Sequence, residues 1–227
     1  FGALPFLYGT AASSLLALII AVPLGVGAAV FLTELAPPRL AATLMFAIEL
    51  LAAVPSVILG LIGIFVLVPA MRAIGSPYGV GLLTAGLILA FMILPYITTI
   101  TREVLLTVPR PLKEAMYALG ATRWEVVRGV SLPYARSGVI GAVFLSLGRA
   151  LGETMAVTMV IGNTPRITAS VFAPAYSMAA VIANELAEAA SDAHLSALVA
   201  IGLTLMAVTV VVNGAARLMI YRLERRP

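Results

Sequence analysis

Five apolar stretches, each long enough to cross a bilayer, constrain this chain more than any motif in it. About 20 consecutive apolar residues make a helix that spans a hydrocarbon core roughly 30 Å thick. Such runs lie at about residues 6–31, 44–68, 80–101, 137–161 and 195–216. Lipid offers no partner to backbone N–H and C=O groups, so each run must satisfy them internally, as a helix. With 62% hydrophobic and 11% charged residues among 227, and a mean hydropathy of +1.10, an ordinary soluble domain is excluded. The expected fold is an all-α integral membrane protein, one transmembrane domain over residues 1–227 built as a bundle of five helices.

Charge fixes the orientation of that bundle. The formal charge of +4 and pI near 9.8 point to arginine-rich cytoplasmic loops rather than to nucleic acid. The connection 102–136 carries Arg102, Arg110, Lys113, Arg123, Arg128 and Arg136, and the tail carries Arg217, Arg222, Arg225 and Arg226. Two crossings separate them, so both belong on the cytoplasmic side. The connection 162–194 sets Arg166 against Glu185, Glu188 and Asp192, and is expected outside together with the start of the chain. Glu34 falls in a short polar turn, and Glu49 reads as a residue near a membrane boundary. Cysteine is absent, which excludes disulfide, thiol and iron–sulfur chemistry, and the single His194 leaves no metal cluster. The chain opens on Phe1 with no signal-peptide pattern and is expected to lack an earlier helix. Pro23, Pro55 and Pro95 interrupt the first three runs, the third being expected to break at Pro95. Gly138, Gly141, Gly148 and Gly152 predict close packing of the fourth helix.

Two features carry chemistry. In the basic loop, Pro109 and Pro111 suit the first turn of a short helix with Leu112, Ala115, Met116 and Leu119 on one face, ended by Gly120. Thr122 and Glu125 have capping-box spacing and open a second short helix carrying Trp124 and Val127; Pro133 suits the first turn of the fourth span. Such a loop either offers a surface to a soluble partner or lies on the headgroups. The second feature is Arg149, thirteen residues beyond Arg136 and therefore roughly 20 Å along a helix, near mid-membrane. An arginine there costs about 2.5–3.5 kcal/mol on insertion scales and should face protein or a watery path. Glu153 follows at i+4, within expected reach of a salt bridge. The pair reads as an anion site, its planar guanidinium fork matching an oxyanion, or as an ion pair that holds helices in register.

Glu114-Ala115, Gly120 and Val130-Ser131-Leu132-Pro133 resemble the EAA loop of ATP-binding-cassette importer permeases, with Met116 at the usual third-position alanine and Val130 in place of isoleucine. Residues 148–157 and 161–163 resemble the permeases of the high-affinity phosphate importer, as do residues 49–56. Ile182-Ala183-Asn184-Glu185 leans toward the C-type of its two permease subunits. The resemblance implies a type I importer permease in the cytoplasmic (inner) membrane of a prokaryote, with six helices in the full protein. It implies a homologous second permease forming a heterodimer, two ATPase subunits and an external phosphate-binding protein. It puts Glu114, Ala115, Gly120, Trp124, Leu132 and Pro133 against the ATPase, and Arg149, Glu153, Ser146 and Thr154 on the substrate path. The chain has no phosphate loop of its own, so ATP and Mg are expected on the partner and no catalysis in this chain. An importer of another oxyanion, such as sulfate or molybdate, stays open, as does an ion-coupled carrier with Glu153 as its proton site.

Overall fold

The structure, a computed structural model, describes residues 2–224; Arg225 and Arg226 of the basic tail lie outside the described residues. All its regular structure is helical. Span one is α1 (Leu4–Val30), continued by a wide π turn (Phe31–Leu35). The chain then forms α2 (Pro38–Ala52), α3 (Ser56–Ile62), a π turn (Gly63–Leu67) and α4 (Val68–Ala73). Span three is α5 (Leu82–Leu106), followed by the short α6 (Arg110–Ala118). Span four joins α7 (Arg123–Val126), a π turn (Val127–Ser131) and α8 (Leu132–Leu151). After α9 (Met155–Val160) and α10 (Met178–Glu185), span five is α11 (Asp192–Glu224). Five units, Leu4–Leu35, Ser56–Ala73, Leu82–Leu106, Arg123–Leu151 and Asp192–Arg222, are long and apolar enough to cross a membrane, as hydropathy requires.

Proline explains the π turns. Each is followed two residues later by a proline: Pro37, Pro69 and Pro133. A proline ring has no N–H to donate and collides with the carbonyl four residues back. Widening the preceding turn relieves that collision. The N–H groups of Val68 and Leu132 reach five residues back, to Gly63 and Val127, and the helix continues past Pro69 and Pro133. By contrast α5 runs unbroken through Pro95, and α1 through Pro23, so the expected break at Pro95 does not occur.

Several boundaries differ from the hydropathy reading. The second run is not one helix: Pro55 lacks a donor and disfavours helical geometry at Val54, so α2 ends at Ala52 and a new helix starts at Ser56. Span four starts at Arg123 and absorbs the second short helix, which narrows the polar loop to 107–122. It also stops at Leu151 instead of running to 161, and span five extends past 216.

Span three is the hub. Of its apolar window 61% is buried, against 6% for span five, which forms an outer edge of this chain. Lipid tails are as apolar as the side chains, so close packing holds the helices together. Leu89, Ile93 and Ile97 of α5 form a core with Ala17 and Ala21 of α1 and Val157 and Val160 of α9. Among the four glycines expected to permit close approach, only Gly138 does so: a methyl there would lie 2.5 Å from Val104. A methyl at Gly141 or Gly148 would make ordinary contacts with Ile220 or Asn213, at 3.6 and 3.7 Å, and Gly152 faces its own preceding turn.

The connection 162–194 is pinned to the bundle. The carbonyls of Val171 and Ala173 accept from Leu83 and Leu82, capping the buried start of span three. Tyr8 donates to the Thr168 carbonyl (2.5 Å), and Thr10 Oγ1 accepts from the Met178 N–H (2.9 Å).

Candidate functional site

Two helix breaks meet Arg149. α2 ends at Ala52, and the Ala52 carbonyl accepts from Tyr96 Oη at 3.4 Å. Tyr96 sits near the middle of α5, so α2 ends level with the middle of span three, with exposed Glu49 one turn before the break. The ring of Tyr96 lies 4.3 Å from Arg149 Cζ, a cation–π stack. Arg149 occupies the last turn of α8, where the helix dipole favours a cation, and is exposed. Tyr96, Ile100, Leu145, Ser146 and Arg149 line a cavity of about 170 Å³. Ser146 is 1% exposed, and its hydroxyl has no hydrogen-bond partner. An unpaired buried hydroxyl costs about 1–3 kcal/mol.

The expected Arg149–Glu153 salt bridge is absent. Its premise was one continuous helix, and Gly152 caps α8 between the two residues. Glu153 turns instead to the next helix, its Oε1 accepting from the Ala156 N–H at 3.2 Å. Thr154 is half-buried at the start of α9, its hydroxyl donating to the Gly152 carbonyl at 3.3 Å. α9 packs on α3 at Gly60 and on the π turn after it at Gly63, where added methyls would lie 2.5 Å from Met159 Sδ and 2.7 Å from Val160 Cγ1. Of the four candidate path residues, Arg149 and Ser146 therefore share a cavity, whereas Glu153 and Thr154 build the neighbouring break. Among the described residues no carboxylate forms an ion pair with Arg149. The guanidinium thus presents uncancelled positive charge and a planar set of donors, a suitable seat for an anion.

The second part of the candidate site is the loop 107–122. Gly120, at φ +85°, terminates α6, with Gly120 N–H donating to the Tyr117 carbonyl and Ala121 N–H to that of Met116. Nothing lies within 4 Å of a methyl placed there, so Gly120 serves the turn and not a close contact. The Thr122–Glu125 capping box is complete in both directions. Glu114, Ala115, Trp124 and Pro133 are exposed, Leu119 is 85% exposed, and Leu132 is half-buried. Leu112 and Met116 share a shallow groove with Gly129, Val130, Pro133 and Tyr134 of span four.

Two residues were missed by sequence reasoning. Tyr96, beside Pro95, carries no signal in the sequence that sets it apart from the apolar run around it. Glu34, which the sequence places in a polar turn, accepts at Oε1 from Lys113 Nζ (2.6 Å) and Ser131 Oγ (2.9 Å). Its partners lie 79 and 97 residues away, a distance at which single-sequence patterns carry no signal.

Residues 21–225 match a family described as the binding-protein-dependent transport system inner membrane component. The phosphate transport system permease protein PstC of Mesorhizobium japonicum is 50% identical, over 100% of this chain and 75% of that protein. The PstC proteins of Xylella fastidiosa (48%, over 100% of the chain and 76% of the relative) and Pasteurella multocida (47%, 100% and 77%) are similarly close. Among solved structures, the inward-facing MetNI methionine ABC transporter superposes with TM-score 0.73 at 21% identity, over 98% of this chain and 94% of that one. A bacterial ABC transporter importing the acidic polysaccharide alginate gives TM-score 0.74 at 15% identity, over 96% and 79%. At those identities the likeness is one of fold.

Proposed function

The chain belongs to the family of binding-protein-dependent transport system inner membrane components, and we propose that it is the permease subunit through which an ATP-driven importer moves inorganic phosphate into the cell. It is a multi-pass protein of the inner membrane that works in a complex with an ATPase and a substrate-binding protein. The finer assembly is part of the proposal: a heterodimer with a second, homologous permease, two ATPase subunits that hold the ATP and Mg, and an external phosphate-binding protein. The names of the relatives support phosphate as the cargo.

The observation that carries the substrate path is Arg149, stacked on Tyr96 at mid-membrane with no carboxylate paired to it, beside the unpartnered Ser146 hydroxyl. Ligand sites at the ends of discontinuous helices are a recurrent feature of transporters, and two such breaks frame this one. The anion descends from the outer connection, exchanges water for the guanidinium fork and the hydroxyl, and leaves inward when the bundle rearranges. The exposed loop face of Glu114, Ala115, Leu119, Gly120 and Trp124 receives the ATPase and passes its closure to the spans.

Uptake by reconstituted complexes tests this reading. Arg149→Gln removes the charge and keeps polarity, and should lower phosphate uptake by at least about tenfold with assembly intact; Arg149→Lys, which keeps charge without the fork, should retain part of it. Wild-type uptake in Arg149→Gln would remove Arg149 from the path. Sulfate or molybdate outcompeting phosphate would reassign the cargo.

A further inference from the structure

Glu34 stands where three parts of the molecule meet. It lies in the π turn that ends span one, with its side chain 9% exposed. Its Oε1 receives Lys113 Nζ of α6 at 2.6 Å and Ser131 Oγ, at the foot of span four, at 2.9 Å. Ser131 is fully buried, and the Lys113 side chain is 18% exposed. No residue of α6 is buried, so this helix has little apolar anchorage to the bundle. Leu112 and Met116 line a shallow groove between α6 and span four, and Lys113 alone among α6 residues forms an ion pair with another element among the described residues.

We propose that the Glu34 carboxylate is the joint that converts movement of α6 into movement of spans one and four. The inference rests on the reading that the loop receives the ATPase, and Glu34 is a positioning residue within it. A push on α6 from the cytoplasm reaches span one through the Lys113–Glu34 pair, and the Ser131 hydroxyl ties the same oxygen to span four. A screened surface pair would yield to such a load, since exposed ion pairs contribute little. A shielded pair resists, because separating it leaves a charge unpaired in a site poor in water. The hydroxyl of Ser131 both donates and accepts, so the joint tolerates either polarity of the pair.

The test uses the full complex, with three readouts side by side: co-purification of the ATPase, basal ATP hydrolysis, and phosphate uptake with its stimulation of hydrolysis by loaded binding protein. Glu34→Gln keeps size and accepts from Ser131 but drops the charge; Lys113→Met keeps the stem and drops the ammonium. Both variants should co-purify with the ATPase and keep basal hydrolysis, while uptake and stimulation fall together by about tenfold or more. The reversed pair, Glu34→Lys with Lys113→Glu, should recover most of both. Normal uptake and stimulation in the single variants would overturn the joint, as would failure of the reversed pair to recover either. Loss of assembly in both singles would reduce Glu34 to a structural residue and overturn it equally. If wild-type complex itself shows no ATPase association, the reading of the loop fails, separately from the joint.

Discussion

At the scale of single residues, the proposed anion site would set folding against function, and Ser146 shows how. Its buried hydroxyl lacks a partner, so replacing it with alanine removes a desolvation cost of about 1–3 kcal/mol rather than a stabilising bond. Ser146→Ala should therefore leave thermal stability equal or higher, while the apparent affinity for phosphate in uptake weakens. Unchanged affinity would show that the hydroxyl faces no substrate. Tyr96 separates into two parts in the same way. Tyr96→Phe keeps the ring under Arg149 and loses only a long contact to the Ala52 carbonyl, so uptake should stay close to wild type. Tyr96→Leu removes the stack, worth about 0.5–2 kcal/mol, releases the guanidinium and should lower uptake; equal uptake in the two variants would deny the ring a positioning role. Arg149 was legible in the sequence because charge inside an apolar run has few innocent explanations. Its true neighbour was not, because a tyrosine on another helix leaves no periodic trace, whereas Glu153 at i+4 offers a plausible partner only if the helix continues.

At the scale of elements, hydropathy fixed where the spans lie but not where they break. A run of apolar residues measures burial in lipid, and both broken and unbroken helices meet that demand. Pro95 looked like an interruption and is not one, while Gly152-Glu153-Thr154 looked helical and is the end of α8. What decides is whether a neighbour can take the freed backbone groups: Glu153 supplies an acceptor for the start of α9, which makes the break tolerable. The capping box and the Gly120 stop were readable in advance because their chemistry is local. Span one offers a controlled test of packing. Gly25 and Gly27 are two residues apart on one helix and share the same propensity gain of up to about 1 kcal/mol on mutation to alanine. A methyl at Gly25 would sit 2.8 Å from Ile97 Cγ2, and one at Gly27 meets nothing within 4 Å. Gly25→Ala should consequently lower the melting temperature of the detergent-purified complex and Gly27→Ala should not, a sign difference that helix propensity alone does not produce.

At the scale of the whole molecule, the two ends of the bundle differ in charge, and the packing of spans four and five shows that the difference is spatial. α8 and α11 run antiparallel, with Ile220 beside Gly141 and Asn213 beside Gly148. Arg217 and Arg222 near the end of α11 therefore lie at the same end as Arg128 and Arg136. The Lys113–Glu34 pair brings the start of α2, with Arg39, to that end as well. The opposite end holds Glu185, Glu188 and Asp192, with Arg72 and Arg166 as its cations. Lys and Arg in short connections stay on the cytoplasmic side, so the basic end, including α6, is expected to face the cytoplasm and the pinned connection around Ser170 to face out. Thr122 and Ser170 are both exposed and lie on these opposite faces. The chain has no cysteine, so a single cysteine at either position is an unambiguous reporter. Thr122→Cys should react with an impermeant thiol reagent only after the inner face is opened, and Ser170→Cys in intact cells stripped of their outer barrier. Labelling of both from the same face would require an even number of crossings between spans three and four's inner loop and the outer connection. That would contradict the single passage of α8 and, with it, the proposal that the ATPase surface and the Arg149 cavity lie on one inward route.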